Sequence, residues 1–330
     1  MPQIFFHSLI LFLFFSLLLA FAQEKKPLKA IRIGIAQIAS TPDFDADARG
    51  FEKALGEAGF KEGVHVTYDR QNAQGDMANA QTIAQKFFDA KVNLIHSIAT
   101  PTSQAVVRKI KDIPIIFSSV TDPVDAGLVP KTSSLGTKTG TNVTGVSDRW
   151  PVFLQFQMYT RFFPKARRWG TIYNAGDSIS MSHIKEMREA SKKLGVELIE
   201  AAISSGSETL QATQSLAPKV QAFHITFDPT VITSFDAIVR VCNERKVPLF
   251  TGDVKGVSRG AMAAYVLDYF QVGYTAGKKA AQILKGKKPG DIPWESSEKL
   301  ILIINEKAAK AQGVIVSSEF LKKADRVITE

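Results

Sequence analysis

Short apolar runs and longer amphipathic stretches alternate along the chain from Ala30 onward. The apolar runs are rich in β-branched residues and bounded by turn residues, a pattern typical of buried strands, and the stretches between them carry apolar residues at helical spacing. This pattern predicts a parallel sheet covered by helices on both faces. In the first half of the chain it predicts strands at 31–38, 64–68, 92–99 and 113–118 and helices at 45–58, 76–90 and 102–111.

A second series with the same order follows, and it repeats details of the first. Thr100-Pro101 follows the third strand of the first series, and Asp228-Pro229 follows the third strand of the second. Matching glycines and matching Ile-Pro and Val-Pro pairs recur at a nearly constant spacing, which indicates two lobes of the same topology. The predicted elements are strands at 168–173, 196–201, 222–227 and 247–250 and helices at 180–194, 208–216 and 230–245.

Three further segments are predicted to cross between the lobes, namely 142–146, 261–266 and 294–297. The predicted fold is therefore α/β, with two Rossmann-like lobes whose parallel sheets are joined by a three-strand hinge. Three crossings let the lobes close over a ligand but prevent them from separating. The predicted lobes comprise residues 23–144 with 264–294 and residues 145–263 with 295–330.

The N-terminal segment 4–22 is almost entirely apolar and precedes the first charged residue, Glu24. Small residues at Ala20 and Ala22 fit a signal-peptidase site, so segment 1–22 is predicted to be a cleavable signal peptide that directs the protein to the periplasm. A retained membrane anchor is the alternative, because an apolar run of this length just spans a bilayer and no basic residue precedes it. No cysteine directly follows the run, which excludes a lipoprotein anchor.

The composition is that of a globular protein: 330 residues, of which 45% are hydrophobic and 22% charged. The net charge of +9 comes from 41 Lys and Arg against 32 Asp and Glu. These basic residues are scattered in pairs without an aromatic ladder, so nucleic acid is not a predicted partner. The single cysteine, Cys242, excludes an internal disulfide and any cysteine-based metal site.

Motifs for catalysis are weak in this chain. The segment 256–260 matches G-x-S-x-G, but every histidine precedes Ser258, so the Ser, acid, His order of α/β-hydrolases is not met. The glycine-rich segment 136–145 matches neither phosphate-binding fingerprint, and the histidines lack metal-ligand spacing. The protein is therefore predicted not to be an enzyme and to need no metal or cofactor.

The ends of the predicted strands carry the candidate chemistry. Thr100 and Asp228 each end a buried strand and are followed by a proline that suits the start of a helix. Open α/β sheets bind ligands at the carboxyl ends of their strands, and a helix N-terminus attracts anions. Either residue alone could be a simple helix cap. Their occurrence in both lobes, together with Asp122 and Asp253 at other strand ends, favours one shared cleft.

Several short motifs in the same order resemble those of ABC-transporter substrate-binding proteins of the tryptophan/tyrosine-binding (TrpX-like) type, over most of residues 30–310. They are Asn-Ala-Gln-Gly-Asp at 72–76, Ile-Ala-Gln-Lys-Phe at 83–87, Ala-Thr-Pro at 99–101, Val-Thr-Asp-Pro-Val at 120–124, Asn-Val-Thr-Gly-Val-Ser-Asp at 142–148 and Arg-Gly-Ala at 259–261. The resemblance implies a type I periplasmic-binding-protein fold and a ligand held between the two lobes, and it suggests that this ligand is an aromatic amino acid. It also implies delivery to a membrane permease powered by a separate ATPase.

One position departs from that family. Where such proteins often read Asp-Asn-Thr after the third strand of the second lobe, this chain has Asp228-Pro229-Thr230. Proline removes both an amide side chain and a backbone donor. We therefore expect the polar end of the ligand to be held differently here.

For an amino-acid ligand, Thr100, Thr102 and Ser103 are predicted to hold the carboxylate at the start of a helix. Asp253 is the first candidate for the ammonium, ahead of the other strand-end carboxylates, because no helix is expected to follow it immediately. The full predicted ligand set consists of polar residues at or near strand ends: Gln37, Thr100, Thr102, Ser103, Thr121, Asp122, Asn174, Asp228, Thr230 and Asp253.

Two other functions remain open at the level of the sequence. One is a ligand sensor of the same fold that docks on a receptor instead of a permease. The other is a two-lobed hydrolase, which needs a nucleophile with an adjacent base. As an importer component, the protein is predicted to be a monomer whose partners are a small-molecule ligand, the permease and its ATPase.

Overall fold

The computed structural model describes residues 30–297 and 299–329. The predicted signal peptide, 1–22, lies outside this described part. Within it, no helix is both long enough and apolar enough to cross a bilayer.

The described chain contains the predicted strands and helices in the predicted order, together with helices at Val152–Phe162, Val254–Ser258, Glu306–Ala311 and Ser318–Lys323 that the sequence pattern did not predict. The strands are β1 (Ile31–Gln37), β2 (Val66–Asn72), β3 (Leu94–Ile98), β4 (Ile115–Val120), β5 (Val143–Ser147), β6 (Arg168–Asn174), β7 (Glu197–Ile203), β8 (Ala222–Ile225), β9 (Leu249–Thr251), β10 (Ala263–Leu267), β11 (Glu295–Ser296), β12 (Leu300–Asn305) and β13 (Arg326–Ile328). The helices are α1 (Pro42–Glu57), α2 (Met77–Asp89), α3 (Thr100–Lys109), α4 (Val152–Phe162), α5 (Ser178–Leu194), α6 (Thr209–Leu216), α7 (Pro229–Thr233), α8 (Phe235–Arg245), α9 (Val254–Ser258), α10 (Tyr269–Leu284), α11 (Glu306–Ala311) and α12 (Ser318–Lys323).

The strands form two separate sheets, one in each lobe. The first has the order β11-β5-β4-β3-β1-β2 and the second the order β13-β12-β10-β9-β8-β6-β7. Every strand pairing is parallel except that of β10 with β12. The predicted fold class, two α/β lobes built on parallel sheets, is therefore confirmed.

Two predicted elements differ from the structure. The second strand begins at Val66, because residues 61–65 form a turn that includes Gly63 at a φ of 75°. The helix predicted at 230–245 is divided into α7 and α8 by Ser234, whose φ of −110° and ψ of 18° interrupt the helical backbone. Its hydroxyl lies 2.8 Å from that of Thr209, at the start of α6.

The chain passes between the two sheets after β5, β10 and β11. β5 pairs with β4 as far as Ser147, β10 pairs with β12 as far as Leu267, and β11 extends the first sheet through Ser296. These points lie a few residues beyond the predicted lobe boundaries, because an apolar run does not reveal which sheet its backbone joins. We therefore propose lobe boundaries after Ser147, Leu267 and Ser296.

Helix α10 follows the second crossing and completes the core of the first lobe. It packs closely on α1, where a Cβ atom added to Gly273 would lie 1.8 Å from the carbonyl oxygen of Asp47. One added to Gly50 would lie 2.0 Å from the carbonyl oxygen of Phe270. Only glycine allows the two helices to approach so closely. This packing anchors one side of the hinge on the first lobe.

Candidate ligand site between the two lobes

Most of the predicted ligand residues lie at the carboxyl edges of the two sheets. In the first lobe Gln37 ends β1, while Thr100, Thr121 and Asp122 follow β3 and β4. In the second lobe Asn174 ends β6, Asp228 and Thr230 follow β8, and Asp253 follows β9. We call the space between these two edges the cleft; it is the region where open α/β sheets bind ligands.

Charges from the two lobes act on one another across the cleft. Asp43 lies in the first turn of α1, in the first lobe, whereas Asp253 and Lys255 lie at the start of α9, in the second. The pKa of Asp43 is raised, first by desolvation and then by repulsion from Asp253, and Lys255 partly offsets the rise. A ligand between the lobes therefore meets carboxylates from both sides.

The start of α3 is open at its positive end. Its N-cap residue, Ala99, has no side chain that can cap the helix, and no other described side chain does so. Ala99 has a φ of 77° and a ψ of 157°, a conformation that is strained for any residue except glycine. Thr100 follows it and is partly exposed. The backbone N–H groups of this helical end are therefore suited to an anion.

Thr102 and Ser103, which are predicted to hold the ligand carboxylate, are buried and already hydrogen-bonded within the chain. Thr102 is 1% exposed, and its hydroxyl donates to the carbonyl oxygens of Ile98 and Ala99. The hydroxyl of Ser103 is fully buried and lies 2.9 Å from that of Ser97. Both side chains point back toward β3 and hold the turn that precedes α3.

Asp228 acts as a structural cap. One of its oxygens accepts hydrogen bonds from the backbone N–H groups of Thr230 and Val231, both at 2.9 Å, and the other accepts one from Asn174 N at 2.6 Å. The residue is fully buried. The side chain of Asn174 in turn donates to the hydroxyl of Thr230 at 2.8 Å. These three predicted ligand residues form one cluster whose hydrogen-bonding groups bind mainly to each other.

Asp253 also caps a helix, which corrects the expectation that none follows it. Its Oδ1 accepts one hydrogen bond from Lys255 N at 3.2 Å, at the start of α9. The side chain is partly exposed and has no second hydrogen bond from the described chain, unlike Asp228. Asp253 therefore keeps an oxygen that can bind a ligand.

The remaining predicted residues are engaged locally to different degrees. Gln37 donates to Asp45 at 2.6 Å and to the carbonyl oxygen of Ala39 at 2.8 Å. Asp122 is exposed and accepts hydrogen bonds from the N–H groups of the turn that follows it. Thr121 is exposed as well, but its hydroxyl donates to Asp148.

Asp148 connects two of the crossings between the lobes. It directly follows β5, and it accepts hydrogen bonds from the hydroxyls of Thr121 and Tyr269, each at 3.1 Å. Tyr269 is the first residue of α10 and comes just after the second crossing. Burial raises the pKa of Asp148 to about 6, the two hydroxyls partly oppose this rise, and the charge of Asp47 adds to it.

The pH dependence of stability should reveal this carboxyl group. The pKa of Asp148 is higher in the folded protein than its ordinary value of 3.8, so its protonated form favours folding. That contribution is complete below pH 3.8 and is lost as the pH rises through about 6. Asparagine does not titrate. We expect the free energy of unfolding of Asp148→Asn, relative to the wild type, to rise by about 3 kcal/mol between about pH 3 and pH 7.5.

Urea unfolding at several pH values measures this difference. Asp122→Asn is the control, because it makes the same change of residue at an exposed position. Parallel curves for Asp148→Asn would show that Asp148 is not a titrating group of the hinge.

An aromatic cluster lies at the edge of the second lobe, and the sequence analysis did not find it. The Trp150 ring centroid is 5.5 Å from that of Phe227 and 5.8 Å from that of His183. Gly252, just after β9, makes room for the indole, since a Cβ there would lie 2.9 Å from the ring. Trp150 and Phe227 are partly exposed. In the sequence, this cluster is indicated only by where its residues lie: Phe227 directly precedes Asp228, and Trp150 follows the first crossing.

Comparison with known proteins places this geometry in a family. The family model for ABC transporter substrate-binding proteins matches residues 32–328. A curated relative, named tyrosine-binding protein, comes from Clostridioides difficile strain R20291. It is 39% identical over 283 residues, which are 86% of this chain and 81% of the relative.

Solved structures agree with that assignment. The open, ligand-free structure of a substrate-binding protein with adhesive properties from Clostridium difficile has a TM-score of 0.85 and 35% identity. It covers 91% of this chain and 100% of its own. An ABC domain in complex with L-Trp from Streptococcus pneumonia has a TM-score of 0.69 and 30% identity, with the same coverage. The fold shared with such neighbours is that of type I periplasmic binding proteins.

Proposed function

Because this chain belongs to the family of ABC transporter substrate-binding proteins, we propose that it binds an aromatic amino acid in the cleft between its lobes. The observation that carries this proposal is the difference between two equivalent helix starts. Helix α7 is capped by the buried carboxylate of Asp228, whereas α3 begins at Ala99 without a side-chain cap. The cleft therefore offers one free helix N-terminus for a ligand carboxylate.

The other parts of the cleft suit the rest of such a ligand. Asp253 and Asp43 supply negative charge for the ammonium group from opposite lobes. Trp150 and Phe227 offer an aromatic face for the side chain, with the ring geometry that aromatic pairs favour. Two relatives support the same ligand class, namely a tyrosine-binding protein and a structure in complex with L-Trp.

The binding energy requires contacts at both polar ends. Burying an aromatic side chain of about 150 to 250 Å² contributes about 4 to 6 kcal/mol. Hydrogen bonds to charged groups at the two ends add about 1.5 to 3 kcal/mol each. Association costs at least about 4 kcal/mol, so micromolar affinity, near −8 kcal/mol, needs both ends to be held.

We also propose the cellular role that follows from the family. The protein acts outside the cytoplasm after export by segment 1–22, and it delivers its ligand as a monomer to a membrane permease driven by a separate ATPase. A docking sensor remains the second candidate, and adjacent permease and ATPase genes would favour transport over it. The hydrolase alternative has lost its support, because the hydroxyl of Ser258 donates to the carbonyl oxygen of Lys255 within α9.

Calorimetry with a panel of amino acids tests the function. We expect micromolar or tighter binding of an aromatic L-amino acid and much weaker binding of leucine. Ligand-induced closure should reduce the radius of gyration in small-angle scattering. Binding of aliphatic and aromatic amino acids with equal affinity would contradict the proposal.

Asp253→Asn tests the proposed ammonium contact. The variant should weaken binding of the amino acid by about tenfold or more, because it removes one charged partner. Binding of the deaminated analogue, which has no ammonium group, should change little. Equal losses for both compounds would show that Asp253 supports the hinge or the fold instead.

A further inference from the structure

Four buried polar side chains in the second lobe have no hydrogen-bond partner among the described residues. They are Gln155, His224, Thr171 and Thr226, and for Gln155 and His224 this includes both polar atoms of the side chain. All four are at most 2% exposed. Buried polar groups without partners are rare and destabilising, so a group of four in one region indicates a partner that the chain does not supply.

Thr171, His224 and Thr226 lie on the face of the second sheet that α4 covers, and Gln155 belongs to α4 itself. His224 packs against Phe156 and Tyr159 of α4, with ring centroids 5.4 and 4.8 Å away. Thr226 lies on the same face as His224, because alternate residues of a strand share a face. Thr171 shares its face of β6 with Trp169, whose ring contacts Phe156 at 5.3 Å. The unpartnered atoms therefore form one polar region.

The equivalent region of the first lobe is better satisfied. His96 lies in β3 as His224 lies in β8, four residues before the matching Thr-Pro and Asp-Pro pairs. The Nε2 atom of His96 is 2.7 Å from the Ser118 hydroxyl and 3.4 Å from Asp47. At the helical position that matches Asp47, the second lobe has His183, whose Nδ1 is 3.2 Å from the carbonyl oxygen of Phe227. One ring nitrogen of His96 therefore has partners, whereas neither ring nitrogen of His224 has one among the described residues.

Gln155 marks the end of this region that is nearest the cleft. Its Oε1 lies 3.4 Å from the position that a Cβ atom of Gly252 would occupy, and the Trp150 ring lies 2.9 Å from the same point. The amide and the indole are therefore neighbours just beyond the carboxyl end of β9. Trp150 packs against His183 and Phe227 of the same lobe, so the amide and the indole form one side of the cleft together.

We propose that Gln155 binds the polar end of the ligand's aromatic side chain, a phenolic hydroxyl, and so lets the protein select tyrosine over phenylalanine. The inference rests on the proposed function. A hydroxyl both donates and accepts, and therefore matches an amide whose oxygen and nitrogen are both free. Burial lowers the pKa of His224 to about 3, so this other unpartnered residue beneath α4 is neutral and adds no charge to the region. Phenylalanine would leave the amide unpaired.

Calorimetry of the purified protein with L-tyrosine and L-phenylalanine tests the inference. The wild type should bind tyrosine at least about tenfold more tightly than phenylalanine, because the hydroxyl supplies the missing hydrogen bonds. In Gln155→Met, which keeps the side-chain length, the preference should fall to about twofold or less. The loss should come mainly from weaker tyrosine binding, with no decrease in thermal stability.

Gln312→Met is the matched control. Gln312 is equally buried in the second lobe, but its amide accepts from Leu249 N and donates to the carbonyl oxygen of Gly260, both at 2.8 Å. This variant should lower the melting temperature and leave the preference for tyrosine unchanged.

Three outcomes would overturn the inference. Equal affinities of the wild type for tyrosine and phenylalanine would do so without any variant, and would leave the proposed function intact. A tyrosine preference that persists in Gln155→Met would assign the polar region to internal water. Failure of the wild type to bind any aromatic amino acid would reject the proposed function and this inference together.

Discussion

Replacing Asp228 by alanine should lower the free energy of unfolding of the second lobe by about 3 to 5 kcal/mol. The carboxylate is fully buried and accepts three backbone hydrogen bonds, from Asn174, Thr230 and Val231. Each bond to a charged group contributes about 1.5 to 3 kcal/mol, and its loss leaves a buried donor unpaired. The alanine variant also loses the cap of α7 and the link between β6 and β8.

Urea unfolding measures the loss of stability in Asp228→Ala, and Asp253→Ala is the control. Asp253 caps the five-residue helix α9 through a single hydrogen bond and is partly exposed, so its replacement should cost only about 1 kcal/mol. Similar losses in the two variants would show that the Asp228 cluster is not a structural support. Asp228 would then become available again as a ligand residue.

Introducing glutamate at Thr100 should reduce ligand affinity by about a hundredfold while leaving the fold as stable or slightly more so. Thr100 is the first residue of α3, at the helix end where we place the ligand carboxylate. Two like charges about 4 Å apart repel by about 1 kcal/mol in bulk water and about 4 kcal/mol at an effective dielectric constant of 20, and a hundredfold loss, about 2.7 kcal/mol, lies between these limits. The same glutamate favours the helix by about 0.3 to 1 kcal/mol, because it lies at the positive end of the dipole.

The glutamate should weaken binding while the stability stays the same or rises slightly. General damage to the fold would instead lower both. Thr100→Gln is the control: it has nearly the size of glutamate without the charge, and should weaken binding by no more than about tenfold. Calorimetry gives the affinities and a thermal melt gives the stabilities. Undiminished binding by Thr100→Glu would place the ligand carboxylate away from α3.

The two proline-containing helix starts show what a local sequence motif predicts and what it does not. Thr100-Pro101 and Asp228-Pro229 were identified as equivalent helix starts, and both do begin helices at carboxyl strand ends. Their chemistry nevertheless differs. The Asp228 carboxylate turns inward to cap its own helix, whereas α3 is left without a side-chain cap. A sequence motif marks the position of a helix end but not whether its hydrogen-bonding groups are already satisfied.

The sequence by itself determined the two-lobed α/β fold, because strand and helix periodicity and helix-start residues are local properties of the chain. It also placed polar residues at the carboxyl edges of the sheets. Only the tertiary structure decided which of them face the cleft. Thr102 and Ser103 turn back toward β3, because the direction of a side chain in the first helical turn depends on how the helix packs on its sheet.

The aromatic and amide groups of the second lobe were also decided by tertiary structure alone. Trp150, Gln155, Phe227 and Gly252 come from segments that are far apart in sequence, and the first crossing and the order of β8 and β9 bring them together. Gln155 looks like any other polar residue on an amphipathic helix. Its burial without a partner depends on the neighbouring sheet, and this long-range packing has no signature in the local pattern of hydrophobic and polar residues.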